Sequence, residues 1–390
     1  KMYGTGKAEI KLTFARKPKD GRVREGKVVF KLDGKDYRTE CAVSQYDFDY
    51  DEDEVITLQS HSKGNGVNLV ILGDGFSAKD LSEGNLLSSI NEAYENFFGI
   101  EPYKTYRDYF NVYTAASVSP ESGIGGINTI VNTKFNTSST DGVALVGKNG
   151  DSDYNDIFRY ACNAPTVNAG NITQTLVIMV ANTYDYGGIC YMYEDGSAIA
   201  YCPMSDYGYP LDYRGVVQHE AGGHGFGKLG DEYIYHNAFI TACGCTCCPH
   251  EGDLQYHQAL GWYQNLSLSG KMNEVPWRDF IFHEKYRDIV DVFEGGFMHN
   301  RGVYRSEQNS CMNNDIPYYS TISRYEIAKR IMAYAGESFS FDKFVANDVI
   351  DGTETKASDE RWRFDADKDS RTAATYQSEP VIVGVKPNLD

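Results

Sequence analysis

The sequence predicts an α/β fold preceded by a small antiparallel β unit. Three patterns carry that reading: short alternating segments before residue 50, unbroken apolar runs at 67–72 and 175–181, and helical periodicity between and after those runs. An unbroken run reads as a strand buried on both faces, the condition of a parallel sheet covered by helices. Alternation reads as a strand with one face in water.

In chain order, segments 8–14, 27–32 and 37–43 alternate, and Gly21, Gly34 and Lys35-Asp36 punctuate them. They predict a sandwich-like antiparallel unit. The acidic run 47–54 reads as a solvated linker, because it lacks the glycine and ligand spacing of an EF-hand loop. Strand 67–72 ends at Gly73-Asp74-Gly75, a turn in which Asp74 is expected to bond backbone. It is not a phosphate loop, for it has neither the glycine spacing nor the lysine. Ser77 is placed to cap a helix carrying Leu81, Leu86, Leu87, Ile90, Tyr94, Phe97 and Phe98. Strands at 110–118 and 175–181 flank a short helix at 154–161. A helix from Thr321 presents Ile322, Tyr325, Ile327 and Ile331 on one face, and a last strand is expected at 380–385. The expected division is 1–58 for the β unit and its linker, 59–340 for the main domain and 341–390 for a polar extension.

A net charge of −18 argues against nucleic acid and anionic membranes as partners. No apolar run approaches the roughly 20 residues that span a bilayer. Four of the nine cysteines, Cys243, Cys245, Cys247 and Cys248, crowd together just before His250. That spacing does not match a structural zinc site, so disulfides of an exported protein, with one thiol left over, are the expected reading. A chain starting at Lys1 without a signal peptide is expected to be a mature form.

The chemistry concentrates in His219-Glu220-Ala221-Gly222-Gly223-His224. Two histidines bracketing a glutamate are the parts of a zinc-peptidase motif: imidazoles hold Zn²⁺, and the glutamate acts on water as general base. The spacing differs by one residue. On an α-helix an i, i+4 pair lies roughly 40° apart, whereas i, i+5 opens to roughly 140°, too far for one metal. A π-turn restores a shared face. Gly222 and Gly223 sit where a widened turn most needs a tolerant backbone. Four glycines between 222 and 227 would weaken a helix by about 1 kcal/mol each, unless something must approach closely. His236 and His250 read as ordinary loop histidines.

On these residues the chain resembles the IgA metallopeptidase family, secreted bacterial zinc endopeptidases related to the metzincins. The family core runs His-Glu-x-Gly-His, six residues, then Asp-Glu-Tyr. Here Gly223-His224 precedes six residues and Asp231-Glu232-Tyr233 in the same register, with one residue inserted upstream. The hexapeptide alone is similar to that of dipeptidyl peptidase III. Segments 67–76, 101–103, 110–113, 117–123, 175–188, 265–277 and 304–312 resemble further landmarks of the first family in order. The resemblance implies a metzincin-like peptidase domain with Asp231 as third zinc ligand beside His219 and His224, Glu232 being the alternative. It implies that Met312 belongs to a methionine turn beneath the metal and that Tyr304 and Arg305 buttress the acidic pair. Tyr318 or Tyr319 could stabilise an oxyanion, a choice that thirty tyrosines leave open. Tyr186-Gly187-Gly188 would suit an edge strand that pairs with a peptide. The function implied is a secreted, cell-surface or periplasmic zinc endopeptidase that cuts extracellular or host proteins, glycoproteins among them. The competing readings are a surface adhesin with a degenerate metal site and a metal-dependent hydrolase of a non-peptide bond.

Overall fold

The computed structural model describes residues 23–31, 34–47, 50–140, 144–185, 187–241, 249–351, 379–384 and 389. At the start, β1 (Arg24–Lys31) and β2 (Arg38–Gln45) pair antiparallel along their whole length. No side chain in the pair is buried and most are exposed, so among the described residues this unit is a two-stranded ribbon and not a sandwich. Segment 8–14 lies outside the described residues. The acidic run is no free linker at its far end. Asp53 donates its N–H to the Ala116 carbonyl at 3.0 Å and meets Lys134 Nζ at 2.9 Å.

The apolar runs then build the sheet they predicted. Its strands are β3 (Val55–Gln59), β4 (Val67–Asp74) and β5 (Phe110–Ala115). A separate pair intervenes, β6 (Thr137–Thr140) with β7 (Ala144–Gly147). The sheet resumes with β8 (Leu176–Ala181), β9 (Ile189–Tyr193) and β10 (Ala198–Pro203). Beyond these, β11 (Ile234–Phe239), β12 (Leu266–Ser267), β13 (Phe293–Gly296) and β14 (Met298–Arg305) form a smaller sheet around β14. Finally β15 (Val381–Val383) returns to the main sheet, whose order is β15-β9-β10-β8-β4-β5-β3.

Its centre, β10-β8-β4-β5, is parallel; β9 runs antiparallel to β10 and parallel to β15, and β3 runs antiparallel to β5. All residues of β4, β5, β8 and β10 are buried, which is why those strands read as continuous apolar runs. Alternate residues feed two cores. Leu69, Ile71, Ile178, Ala200 and Cys202 join one core with the helices at Asn85–Phe98 and Val217–Phe226; Val70, Leu72, Met179 and Tyr201 join the other with the helix Asp151–Ala161.

Three expectations change in detail. The helix after Ser77 is two helices, Ala78–Ser82 and Asn85–Phe98, parted at Gly84, whose φ is +80°. The strand expected over 110–118 ends at Ala115. The segment after Gly187-Gly188 leads into β9, which is no open edge: β10 pairs one side and β15 covers Tyr191 to Tyr193 on the other. Tyr186 is outside the described residues. Asp74 behaves as expected, with Oδ1 accepting from Phe135 N–H at 3.1 Å and Oδ2 from Thr137 N–H at 2.9 Å.

Candidate metal centre

Asp212 opens the ligand helix by accepting the Gly215 N–H at 2.9 Å, which caps one turn of α-helix, Tyr213–Val216. From there the chain winds as a π-helix, Val217–Phe226. His219 and His224, five residues apart, therefore project to one side. The one-residue insertion is met by a ten-residue π stretch and not by a single bulge.

The glycines answer to close neighbours on both sides. A Cβ on Gly225 would lie 2.6 Å from Leu176 Cδ1, on the sheet beneath the helix. One on Gly223 would lie 2.2 Å from Met312 Sδ, so Met312 does pack directly against the ligand helix. Gly223→Ala is expected to destabilise the fold by about 1–3 kcal/mol through overpacking, read by urea unfolding. A loss under about 0.5 kcal/mol would mean that Met312 swings aside at no cost.

Beyond the helix the chain folds back and brings Asp231 to the histidines. His219 Nε2 lies 3.1 Å from His224 Nε2 and 3.0 Å from Asp231 Oδ1, and His224 Nε2 lies 3.2 Å from the same oxygen. All three side chains are buried. The other ring nitrogens are committed elsewhere. His224 Nδ1 donates to the Leu229 carbonyl at 2.8 Å; His219 Nδ1 faces Asp315 Oδ1 at 2.8 Å and the Cys311 carbonyl at 3.1 Å. With both Nδ1 atoms protonated, each Nε2 presents a lone pair. Two lone pairs and a carboxylate oxygen at van der Waals distance repel one another unless a positive charge sits among them. A tetrahedral ion with bonds of about 2.0–2.1 Å would hold its ligands roughly 3.3 Å apart, close to the spacing found.

The electrostatics show the same demand for positive charge among the three groups, which a proton on His219 meets when no ion does. Burial alone would raise the Asp231 carboxyl, but His224 and His219 hold it down at about 2. Burial opposes charge on His219, yet Asp315 and Asp231 more than offset it. Glu220 is fully buried, and neither carboxylate oxygen has a hydrogen-bond partner. Burial pushes its carboxyl well above the ordinary range; the His219 ring opposes that shift, and Asp231 and Asp315 reinforce it. A buried glutamate left bare beside such a centre fits a group that handles protons of a molecule bound there.

Glu232 points away. Its Oε1 accepts from Asn265 Nδ2 at 2.9 Å and its Oε2 from the Ser310 hydroxyl. Arg305 contributes through its field, while its guanidinium hydrogen bonds go to the Glu294, Gly295 and Gln308 carbonyls. Tyr304 pairs with Glu294. Neither phenol proposed for an oxyanion is free for it. Tyr318 Oη donates to Glu307 at 2.7 Å, and Tyr319 Oη to the Gln218 carbonyl. The crowded cysteines at 243–248 lie outside the described residues, whereas Cys41, Cys162, Cys190, Cys202 and Cys311 are free thiols.

Sequence reasoning missed Asp315, Asn265 and the turn that sets Asp231. Asp315 follows Met312 by three residues and takes φ +58° at the end of the short helix Cys311–Asn314. Its only signal was the rule that a metal-bound histidine keeps a carboxylate or carbonyl on its other nitrogen. Asn265 bonds both peptide groups of Gly230, at 2.9 and 2.8 Å. The turn is a run of left-handed residues, Gly295, Gly296, Phe297 and Met298, with φ of +109°, +153°, +47° and +67°. Phe297 N–H donates to the Asp231 carbonyl at 2.8 Å and Met298 N–H to that of Tyr233 at 3.2 Å.

Lys228, on the exit from the ligand helix, is buried with φ +54°, and its ammonium has no hydrogen-bond partner. It lies 5.3 Å from the centre of the Trp262 ring. Burial lowers its pKa to about 7; Cys190 and Asp195 oppose the shift and Arg330 adds to it. The unfolded lysine keeps its proton up to about 10.5, so between pH 7 and 10.5 unfolding takes up a proton and stability climbs with pH. Lys228→Met is expected to flatten that climb and to stabilise the protein at pH 7 by a few kcal/mol on the order given by the shift. An unchanged pH–stability curve in thermal unfolding would refute this.

Fold and centre together define the class: an α/β protein whose π-helix, laid on a largely parallel sheet, brings two buried histidines to an aspartate in a group that could hold one metal ion. The chain belongs to the IgA peptidase M64 family, whose model matches residues 56–284, and it is accordingly a peptidase. No curated protein matches it. The matched stretch includes the main-sheet strands β3 to β10, the ligand helix and Asp231, but ends before Met312 and Asp315.

Proposed function

We propose that this peptidase is a secreted zinc-dependent endopeptidase that hydrolyses peptide bonds of extracellular or host glycoproteins, with Glu220 as general base. The observation that carries the reading is the meeting of His219 Nε2, His224 Nε2 and Asp231 Oδ1 within 3.2 Å, beside a buried glutamate with both oxygens bare. These three residues would hold the ion, and three protein ligands are what a catalytic zinc site provides. Bound there, zinc supplies a Lewis acid that polarises a carbonyl and acidifies water.

The chain's own residues do the rest. With a cation beside it to offset the burial that favours its neutral form, Glu220 takes a proton from the attacking water and delivers it to the amine nitrogen that leaves, returning to the carboxylate. Asp315 and the Cys311 and Leu229 carbonyls fix both rings with Nε2 facing the centre. Met312 sets the floor under Gly223. Export is supported by the cysteine crowding at 243–248. No helix among the described residues is long and apolar enough to cross a membrane.

Metal analysis combined with cleavage profiling on peptide and glycoprotein libraries tests the reading. About one zinc per chain and cleavage at peptide bonds are expected. No zinc after zinc addition would point to a binding protein with a degenerate site. Zinc without peptide cleavage would point to hydrolysis of another bond.

A further inference from the structure

We propose that Tyr103 and Tyr319 are positioning residues: their phenols hold the ligand helix in its π form and thereby set His219 and His224 on one metal. The inference rests on reading those histidines as a metal site. A π-helix is rare, occurs mostly as a single turn, and needs help from outside to persist over ten residues. In α form, His219 and His224 would diverge by roughly 140°. Something must therefore favour the wide form at the stretch between the two ligands.

Two fully buried phenols reach that stretch from distant parts of the chain. Tyr103, from the short helix Tyr103–Tyr106, donates to the Gly222 carbonyl at 2.6 Å. Tyr319, just before the helix Thr321–Tyr334, donates to the Gln218 carbonyl. The carbonyls they take stand one residue before His219 and two before His224. The Gly222 carbonyl also accepts the Gly227 N–H at 3.0 Å, an i→i+5 bond, so this oxygen has two donors while the chain keeps the π pitch. The two rings lie 6.2 Å apart edge to face and support each other.

The glycine between the ligands is shaped by the same phenols. A Cβ on Gly222 would lie 2.4 Å from Tyr319 Oη and 3.1 Å from Tyr103 Cε2. Gly222 thus serves the clamp, as Gly223 serves Met312. Neither hydroxyl is directed to reacting atoms, so the role is one of geometry.

The test measures zinc affinity by chelator competition for Tyr103→Phe and Tyr319→Phe, each made in the full chain and in a chain lacking Gly222. Removing Gly222 recreates the i, i+4 spacing, for which an ordinary α-helix suffices. In the full chain each phenylalanine is expected to weaken zinc binding about tenfold, the size of effect usual for groups that orient a ligand. In the shortened chain the same changes should leave affinity within about twofold of its parent. Equal losses in both chains, or none in the full chain, would overturn the proposal. Amide hydrogen exchange at Gly227 in metal-free protein gives a second readout that does not depend on folding of the shortened chain. Faster exchange in Tyr103→Phe is expected, and unchanged exchange would also overturn the clamp. If wild type binds no zinc yet Gly227 exchange still rises, the clamp stands and the metal assignment fails.

Discussion

Glu220→Gln is expected to lower kcat by about 10²–10⁴-fold while zinc content and folded structure stay as in wild type. The expectation follows from what surrounds the side chain. Both oxygens lack protein partners, so the amide breaks no hydrogen bond and leaves no neighbour stranded. It also removes a buried carboxyl whose charge is costly, so stability should hold or rise. What is lost is the proton acceptor. Steady-state kinetics on a cleaved peptide, with metal analysis of the same sample, provide the check. A variant that keeps wild-type turnover would remove Glu220 from the mechanism, and one that loses its zinc would make Glu220 a structural support of the centre.

The second large effect separates two adjacent carboxylates. Asp231→Ala is expected to weaken zinc binding by more than the roughly 10–100-fold typical of residues that only orient a ligand. Glu232→Ala should do less to zinc and more to stability. Removing that carboxylate strands one N–H of Asn265 and the Ser310 hydroxyl in a buried place, at about 1–3 kcal/mol. Chelator competition and chemical unfolding on both variants check this. If Glu232→Ala lost the metal and Asp231→Ala kept it, the ligand assignment would pass to Glu232.

The sequence made the sheet legible where burial on both faces left no other reading, as at β4 and β8. It also made the widened helix legible, because two ligands of one ion set five positions apart admit few geometries. The limits are equally physical. Asp315 meets His219 from nearly a hundred residues downstream, and nothing local marks it among the chain's many acids. Tyr318 and Tyr319 stand side by side in sequence, yet one bonds Glu307 and the other the ligand helix, a distinction made only by packing. Leu81 to Phe98 read as one helix, but the left-handed backbone at Gly84 divides it in two. The covering of β9 by β15 joins segments almost two hundred residues apart, and no periodicity encodes it.

The left-handed run at Gly295 to Met298 bears on when the centre is made. Phe297 and Met298 each adopt a backbone that costs a bulky residue about 1–2 kcal/mol, and such a conformation persists only where its surroundings over-determine it. Here the surroundings are protein: the carbonyls of Asp231 and Tyr233, with Ile234 crowding Gly295. The segment bearing Asp231 is thus set by the chain itself. Small zinc domains, by contrast, use metal affinity to drive their folding. On the function proposed above the two events come apart: folding builds the socket, and the ion would enter a site whose shape is already decided.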